Sequence, residues 1–302
     1  MNTQHAVITG GAAGLGLGAA TQLLQRGFAV TLVDINAEAL ANTARGLQQR
    51  FGEALVRGEQ ADLSDPASIA ALVARLRARG DAIDVLVNNA GIYPPSQRRT
   101  NGEGQELSFA IGHLGHFRLT HGLWPLLEAA PAARVISTSS LVQRFAQLHL
   151  DDLPLAHNYK PITAYRQTKL ACLMFALELQ RHCARAGSSI SSYAAHPGVC
   201  RTQIGANRPM GAHDSLFQRI SSFGLRYGMT LYGRTPEDGA YSIVLAATSN
   251  DFAAGSFIGP HGLLDITGEH GLVKPGRAAS NPELCAQLWQ QTEQLTGLTW
   301  PI

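Results

Sequence analysis

Ala6-Val7-Ile8-Thr9-Gly10-Gly11-Ala12-Ala13-Gly14-Leu15-Gly16 is the stretch from which the fold is read. Residues 6–9 are apolar or β-branched and suit a strand. A glycine-rich turn follows at once, and the turn opens a helix over 14–25 with Leu15, Ala19, Leu23 and Leu24 as its apolar stripe. The three key glycines have separate uses. Gly10 makes the tight turn, Gly14 lets backbone approach a pyrophosphate, and Gly16 lets helix and strand pack closely. A glycine-rich run is weak evidence alone. Its place between the first strand and the first helix gives it weight.

The same alternation continues outward. Strands are predicted at 28–33, 54–60, 83–87, 134–138, 190–194 and near 257–258. Helices are predicted at 37–51, 66–79, 104–129, 164–186, 236–249 and 281–295. Asn36 and Asn281 stand where N-caps are needed, and Pro282 suits a first helical turn. Strands alternating with helices mean βαβ crossovers and a parallel sheet covered on both faces. The fold class is therefore α/β, a doubly wound parallel sheet in a three-layer α/β/α arrangement. No linker or repeat divides the chain, so 1–302 reads as a single domain. The stretch 200–234 is long for a βα connection and reads as an insertion within it.

Composition narrows the function. Among 302 residues there are 24 basic and 22 acidic side chains, a net charge of +2. That leaves no basic surplus for neutralising nucleic-acid phosphates. The N-terminus shows no secretory leader, and no window reaches the ~20 apolar residues of a membrane span. Cys172, Cys183, Cys200 and Cys285 form no CxxC pair, so reduced thiols and a cytoplasmic location are expected. His113, His116 and His121 lack a carboxylate or cysteine at matching spacing, so no metal is expected.

Candidate site residues fall at predicted strand ends, where open α/β sheets bind ligands. Asp34 ends the second strand, and a carboxylate there accepts bonds from the adenine ribose hydroxyls of NAD and repels the 2′-phosphate of NADP. No basic residue lies between Gly10 and Gly18, or at Ile35 and Asn36. Asp34 could instead serve only to cap the next helix. Asp62 and Leu63 would reach the adenine, with Ile35 beside them. Asn88-Asn89-Ala90-Gly91 would close the cofactor floor. Tyr165 and Lys169 lie four apart on one helix face. A phenol is a weak acid, and an ammonium one turn away favours its phenolate. Ser137-Thr138-Ser139-Ser140 ends the fifth strand, and Ser140, last of the run, is the best placed to bond a reacting oxygen.

Taken together, these residues resemble the short-chain dehydrogenase/reductase family over nearly the whole chain, in the family's order. The chain looks most like the retinol-dehydrogenase-like branch, through His113-Leu114-Gly115-His116-Phe117, the Tyr165 and Lys169 helix, His196-Pro197-Gly198-Val199 with Thr202, and the tail Leu295-Thr296-Gly297. The resemblance implies a Rossmann-type sheet and an NAD-dependent oxidoreductase. Tyr165 would be the general acid/base, Lys169 would hold the nicotinamide ribose, and Ser140 would orient the substrate oxygen. Gly10, Gly14, Leu15, Gly16, Pro197, Val199 and Thr202 would line the cofactor. The insertion, rich in Phe217, Ile220, Phe223, Tyr227 and Tyr232, would cover the substrate, with Phe145, His149 and Tyr159 lining the pocket. Such a lid favours a lipophilic or aromatic secondary alcohol or its ketone. A homodimer or homotetramer through the helices bearing 113–128 and 165–179 is expected, because Leu170, Leu173, Met174 and Leu177 exceed what one sheet face needs. One residue departs from the family: Gly112 stands where an asparagine supports a proton relay. A backbone carbonyl and a water would have to serve instead, and restoring asparagine is expected to keep or raise turnover, or to lower activity by a clash if substrate passes close to residue 112. This departure also leaves a second function class open, a non-catalytic dinucleotide-binding regulator.

Overall fold

A computed structural model describes residues 3–157, 159–200, 234–262, 265–266 and 268–302. Its strands are β1 (His5–Thr9), β2 (Ala29–Asp34), β3 (Val56–Gln60), β4 (Val85–Asn88), β5 (Arg134–Thr138), β6 (Ser191–Ala195), β7 (Phe257–Pro260) and β8 (His270–Leu272). Among the described residues they form one sheet in the order β3-β2-β1-β4-β5-β6-β7-β8. All neighbours pair in parallel except β7 and β8. The chain builds outward from β1 to β3, then returns to lay β4 on the other side of β1, pairing Ala6 with Val85 and Ile8 with Val87. That reversal opens a crevice beyond the carboxyl ends of β1 and β4.

The helices are α1 (Gly14–Gln25), α2 (Ala37–Phe51), α3 (Pro66–Arg79), α4 (Leu107–Phe109), α5 (His116–Glu128), α6 (Pro161–Ala186), α7 (Pro236–Thr248) and α8 (Pro282–Thr296). One face of the sheet packs α1, α2 and α7 through Leu23, Leu40, Leu47 and Ile243. The other packs α3, α5 and α6 through Leu72, Leu123 and Leu179. Each such aliphatic side chain, fully buried, stabilises the fold by about 1.5–3 kcal/mol. Asn36 caps α2 by accepting from the Ala39 N–H at 3.1 Å, and Asn281 caps α8 through the N–H groups of Glu283 and Leu284. Among the described residues, no helix is long and apolar enough to cross a membrane, and no cluster of His, Cys, Asp and Glu suits a metal. All four cysteines are buried free thiols.

Three features differ from the reading of the sequence. The pattern at 104–129 is not one helix: α4 passes into a π-helical turn, Ala110–Gly115, and then into α5. β8 has no counterpart among the strands read from the sequence, because three residues, His-Gly-Leu, carry no alternation to read. The apolar surplus on α6 is met inside the chain. Leu170, Leu173 and Met174 are wholly buried in a cluster with Cys285 and Leu288 of α8, and Leu177 packs against its edge. These residues therefore supply no argument for a second copy. The insertion's ends are joined, with the Arg234 N–H donating to Val199 O at 3.0 Å and Cys200 bridging to Arg234. The rest of it, 201–233, including Thr202, lies outside the described residues.

Candidate active site

The glycine-rich turn fits a diphosphate. Gly10 and Gly14 hold φ of 64° and 56°, where a Cβ is strained. Gly14 faces open space, with nothing within 4 Å of where a Cβ would stand. Gly16 lets α1 lie against the strand ends: a Cβ there would stand 2.1 Å from the Gly10 carbonyl oxygen, just past β1, and 2.9 Å from Asn89 Nδ2, just past β4. The Ala13 N-cap supplies no side-chain bond, and the first turn of α1 has no acidic residue. The first N–H groups of α1 are thus left to an anion, at the positive end of the helix dipole.

Asp34 shapes this turn as well as facing it. Its Oδ2 accepts from the Ala12 N–H and its Oδ1 from the Asn36 N–H, each at 3.1 Å. A cavity of about 230 Å³ opens beside it, lined by Gly10, Asp34, Ile35, Asp62, Leu63, Ala90 and Gly91. Val33, Ala61, Ile92 and Ile111, which the sequence does not single out, complete the lining. Ile35 is 58% exposed at the rim, where it can cover a planar base. The Asp62 carboxylate accepts from the Ser64 N–H and hydroxyl at 2.8 and 2.7 Å, which fixes its loop. Asn89 is tied to β1 by its Nδ2, which donates to Thr9 O at 2.9 Å.

Tyr165 and Lys169 sit on α6, and the chain beyond β5 meets them. Lys169 is 5% exposed and donates from Nζ to Thr138 O at 3.1 Å. Its ammonium adjoins the cofactor floor, since a Cβ at Gly91 would stand 3.7 Å from Nζ. Tyr165 is half-buried, its ring 5.1 Å from that of Tyr93. The serines divide their work. Ser139 donates to Lys169 O at 2.7 Å, which fixes α6 to the strand end. Ser140, half-buried, opens the turn Leu141–Phe145 with its hydroxyl uncommitted; the Ser137 hydroxyl is also unpaired but is buried within β5.

On the substrate side, Phe145 is 73% exposed, with the Arg166 guanidinium 6.0 Å from its ring. Tyr159 donates its hydroxyl to Pro95 O at 2.6 Å, and burial, helped by the nearby Glu106, pushes its phenol up. That makes it the wrong tyrosine for exchanging a proton. Gly198 takes φ of 71° and donates its N–H to His196 Nδ1, placing Pro197 and Val199, both half-buried, just beyond β6. Gly112 lies in the π-helical turn. Its carbonyl accepts from His116 Nδ1 at 2.9 Å and from Cys172 Sγ at 3.1 Å, so both acceptor positions are taken. That differs from the expectation that this oxygen serves a water.

The profile of the family described as short chain dehydrogenase matches residues 4–211. Over 300 residues the chain is 32% identical to retinol dehydrogenase 13 of Homo sapiens, covering 98% of this chain and 85% of that protein. Over 297 residues it is 29% identical to polyprenol dehydrogenase of Homo sapiens, covering 97% and 85%. The crystal structure of an uncharacterised protein from Mycobacterium Paratuberculosis is similar with a TM-score of 0.78, at 30% identity and over 99% of this chain and 95% of that one.

Proposed function

Since the chain belongs to the short-chain dehydrogenase family, we propose that it is an NAD-dependent oxidoreductase interconverting a lipophilic or aromatic secondary alcohol and its ketone. The observation that carries this reading is Lys169, one helical turn from Tyr165, bonded to the end of β5 and adjoining Gly91, beside a glycine turn open to a diphosphate. The relatives' names, retinol and polyprenol dehydrogenase, support a lipophilic alcohol. Residues 1–302 act as one catalytic domain, and 200–234 covers the substrate.

The bound dinucleotide supplies the hydride acceptor or donor; the protein positions it. The N-terminus of α1 and the turn at Gly10, Gly14 and Gly16 hold the diphosphate. Asp34 accepts from the adenine ribose, and Lys169 reaches the second ribose. Ser140 donates to the substrate oxygen and orients it. Tyr165 takes the alcohol proton during oxidation and returns it during reduction. Gly112 favours a second reading, a dinucleotide-binding regulator without turnover, because the family's asparagine is absent.

A panel of lipophilic secondary alcohols with NAD, followed by absorbance of the reduced nicotinamide, separates the two. Turnover is expected with the wild type. Tyr165→Phe should lower it by roughly a hundredfold or more while binding NAD nearly as well. Full activity in Tyr165→Phe would remove Tyr165 from the chemistry. Binding without turnover across the panel would favour the regulator.

A further inference from the structure

Four elements meet beneath the cofactor floor: β1 through Thr9, the π-helical turn through Gly112, α5 through His116 and α6 through Cys172. His116 is 3% exposed, with Nδ1 2.9 Å from Gly112 O and Nε2 2.9 Å from Thr9 Oγ1. A carbonyl can only accept, so Nδ1 carries the proton. Burial, reinforced by the Lys169 charge, pushes His116 down to about 4, so the ring is neutral at pH 7 and Nε2 keeps its lone pair. The Thr9 hydroxyl must then donate to Nε2. Its other acceptor within reach, Val87 O, is farther at 3.2 Å. The hydroxyl oxygen has two acceptor positions left. The Asn89 N–H fills one at 2.9 Å and the Ala90 N–H the other at 3.0 Å. One donor and two acceptors exhaust a hydroxyl.

We propose that His116 is a positioning residue of the dinucleotide site: its unprotonated Nε2 fixes the direction of the Thr9 hydroxyl, whose oxygen then holds the Asn89 and Ala90 peptides beside Lys169. The inference rests on the dinucleotide reading above. Without the imidazole, the hydroxyl turns toward Val87 O and its lone pairs rotate away from the two peptide N–H groups. The same ring also reaches the catalytic helix. Gly112 O, which accepts from Nδ1, accepts from Cys172 Sγ as well, and Cys172 lies on α6 one turn beyond Lys169. His116 thus joins the floor under the nicotinamide to the helix that carries Tyr165. It touches neither substrate nor cofactor, and it acts through Thr9.

The test is a double-mutant cycle on the full chain, read by NADH titration together with kcat and KM for NAD. His116→Leu and Thr9→Val should each raise the NADH Kd about tenfold and leave kcat at saturating NAD within about threefold. The double variant should be no weaker than Thr9→Val alone, about tenfold and not about a hundredfold, because His116 acts only through the hydroxyl that Thr9→Val removes. His116→Gln, which returns an acceptor, should recover binding to within about threefold of wild type. Additive losses, or a folded His116→Leu that binds NADH normally, would overturn the proposal. Should His116→Leu not fold, Thr9 decides: Thr9→Ser keeps the hydroxyl and should bind well, and Thr9→Val binding equally well overturns the idea. Wild-type protein that fails to bind NADH would sink the dinucleotide reading itself, a result separate from any of these.

Discussion

Asp34 is one residue with two duties, and they bear on cofactor choice together. Its two oxygens already hold the Ala12 and Asn36 N–H groups, so the carboxylate is fixed in place before any ligand arrives. A preorganised carboxylate loses nothing in turning toward ribose hydroxyls. It also cannot swing away from a 2′-phosphate, and two like charges a few ångströms apart near a protein surface cost several kcal/mol. NAD should therefore bind at least about a hundredfold more tightly than NADP. Asp34→Ala should narrow that gap mainly by weakening NAD, since the Ala12 N–H loses its partner along with the ribose. Titration of wild type and variant with both dinucleotides checks this. Equal affinity of the wild type for NADPH and NADH would contradict it.

At the scale of elements, the π-helical turn decides what Gly112 means. A Cβ at 112 would stand 2.7 Å from Cγ2 of Thr168, a buried residue between Tyr165 and Lys169 on α6. The asparagine of the family cannot simply be restored here. Gly112→Asn should push the π-helical turn off α6, destabilise the fold by about 1–3 kcal/mol and lower kcat rather than raise it. Thr168→Ser removes the obstructing methyl and should recover much of both losses. Denaturant melts and steady-state kinetics on the single and double variants test this, and a fully active, stable Gly112→Asn would refute the steric account. This interlock shows where the sequence stops being legible. Buried parallel strands such as β1, β2 and β5 declare themselves as apolar runs, and α1, α2 and α3 show both stripe and ends. The Tyr165 and Lys169 pair is readable because both lie on one helix. The π-helical turn is not, since one extra residue per turn leaves the apolar pattern of 104–129 almost unchanged. The His116 to Thr9 bond joins residues 107 apart, and no local pattern reports it. Ser140 is legible as the last residue of its run, and the fold adds that Ser139 is committed to Lys169 O.

Across the whole molecule, buried neutral histidines link the site to its supports. Burial lowers His113 to about 3, and His116 and His196 to about 4. His270 is also lowered to about 4, by burial and then by the Arg234 charge beside it. These rings stand on the π-helical turn, on α5, beyond β6 and on β8. His113 further ties the turn to α8, with Nε2 2.8 Å from Thr292 Oγ1. In the unfolded chain each ring titrates near ~6.5. Between pH 6.5 and about 4 the unfolded state therefore binds protons that the folded state refuses, and stability falls as pH falls through that window. For a fully buried ring such as His113 or His116 the slope approaches about 1.4 kcal/mol per pH unit; the half-exposed His270 contributes less. Glu59 acts lower. Burial alone would raise its carboxyl, but the bonds from Arg75 and Arg79 hold it below the usual range, so its contribution is lost only beneath about 4.5. The thermal midpoint should thus be flat above pH 7 and drop steeply from pH 6.5 to 4.5, before most carboxylates titrate. His113→Asn removes one titrating ring and should flatten the drop even if it lowers the midpoint at pH 7.5. A midpoint that stays constant from pH 7.5 to 4.5 would show that these histidines are not held neutral by the fold.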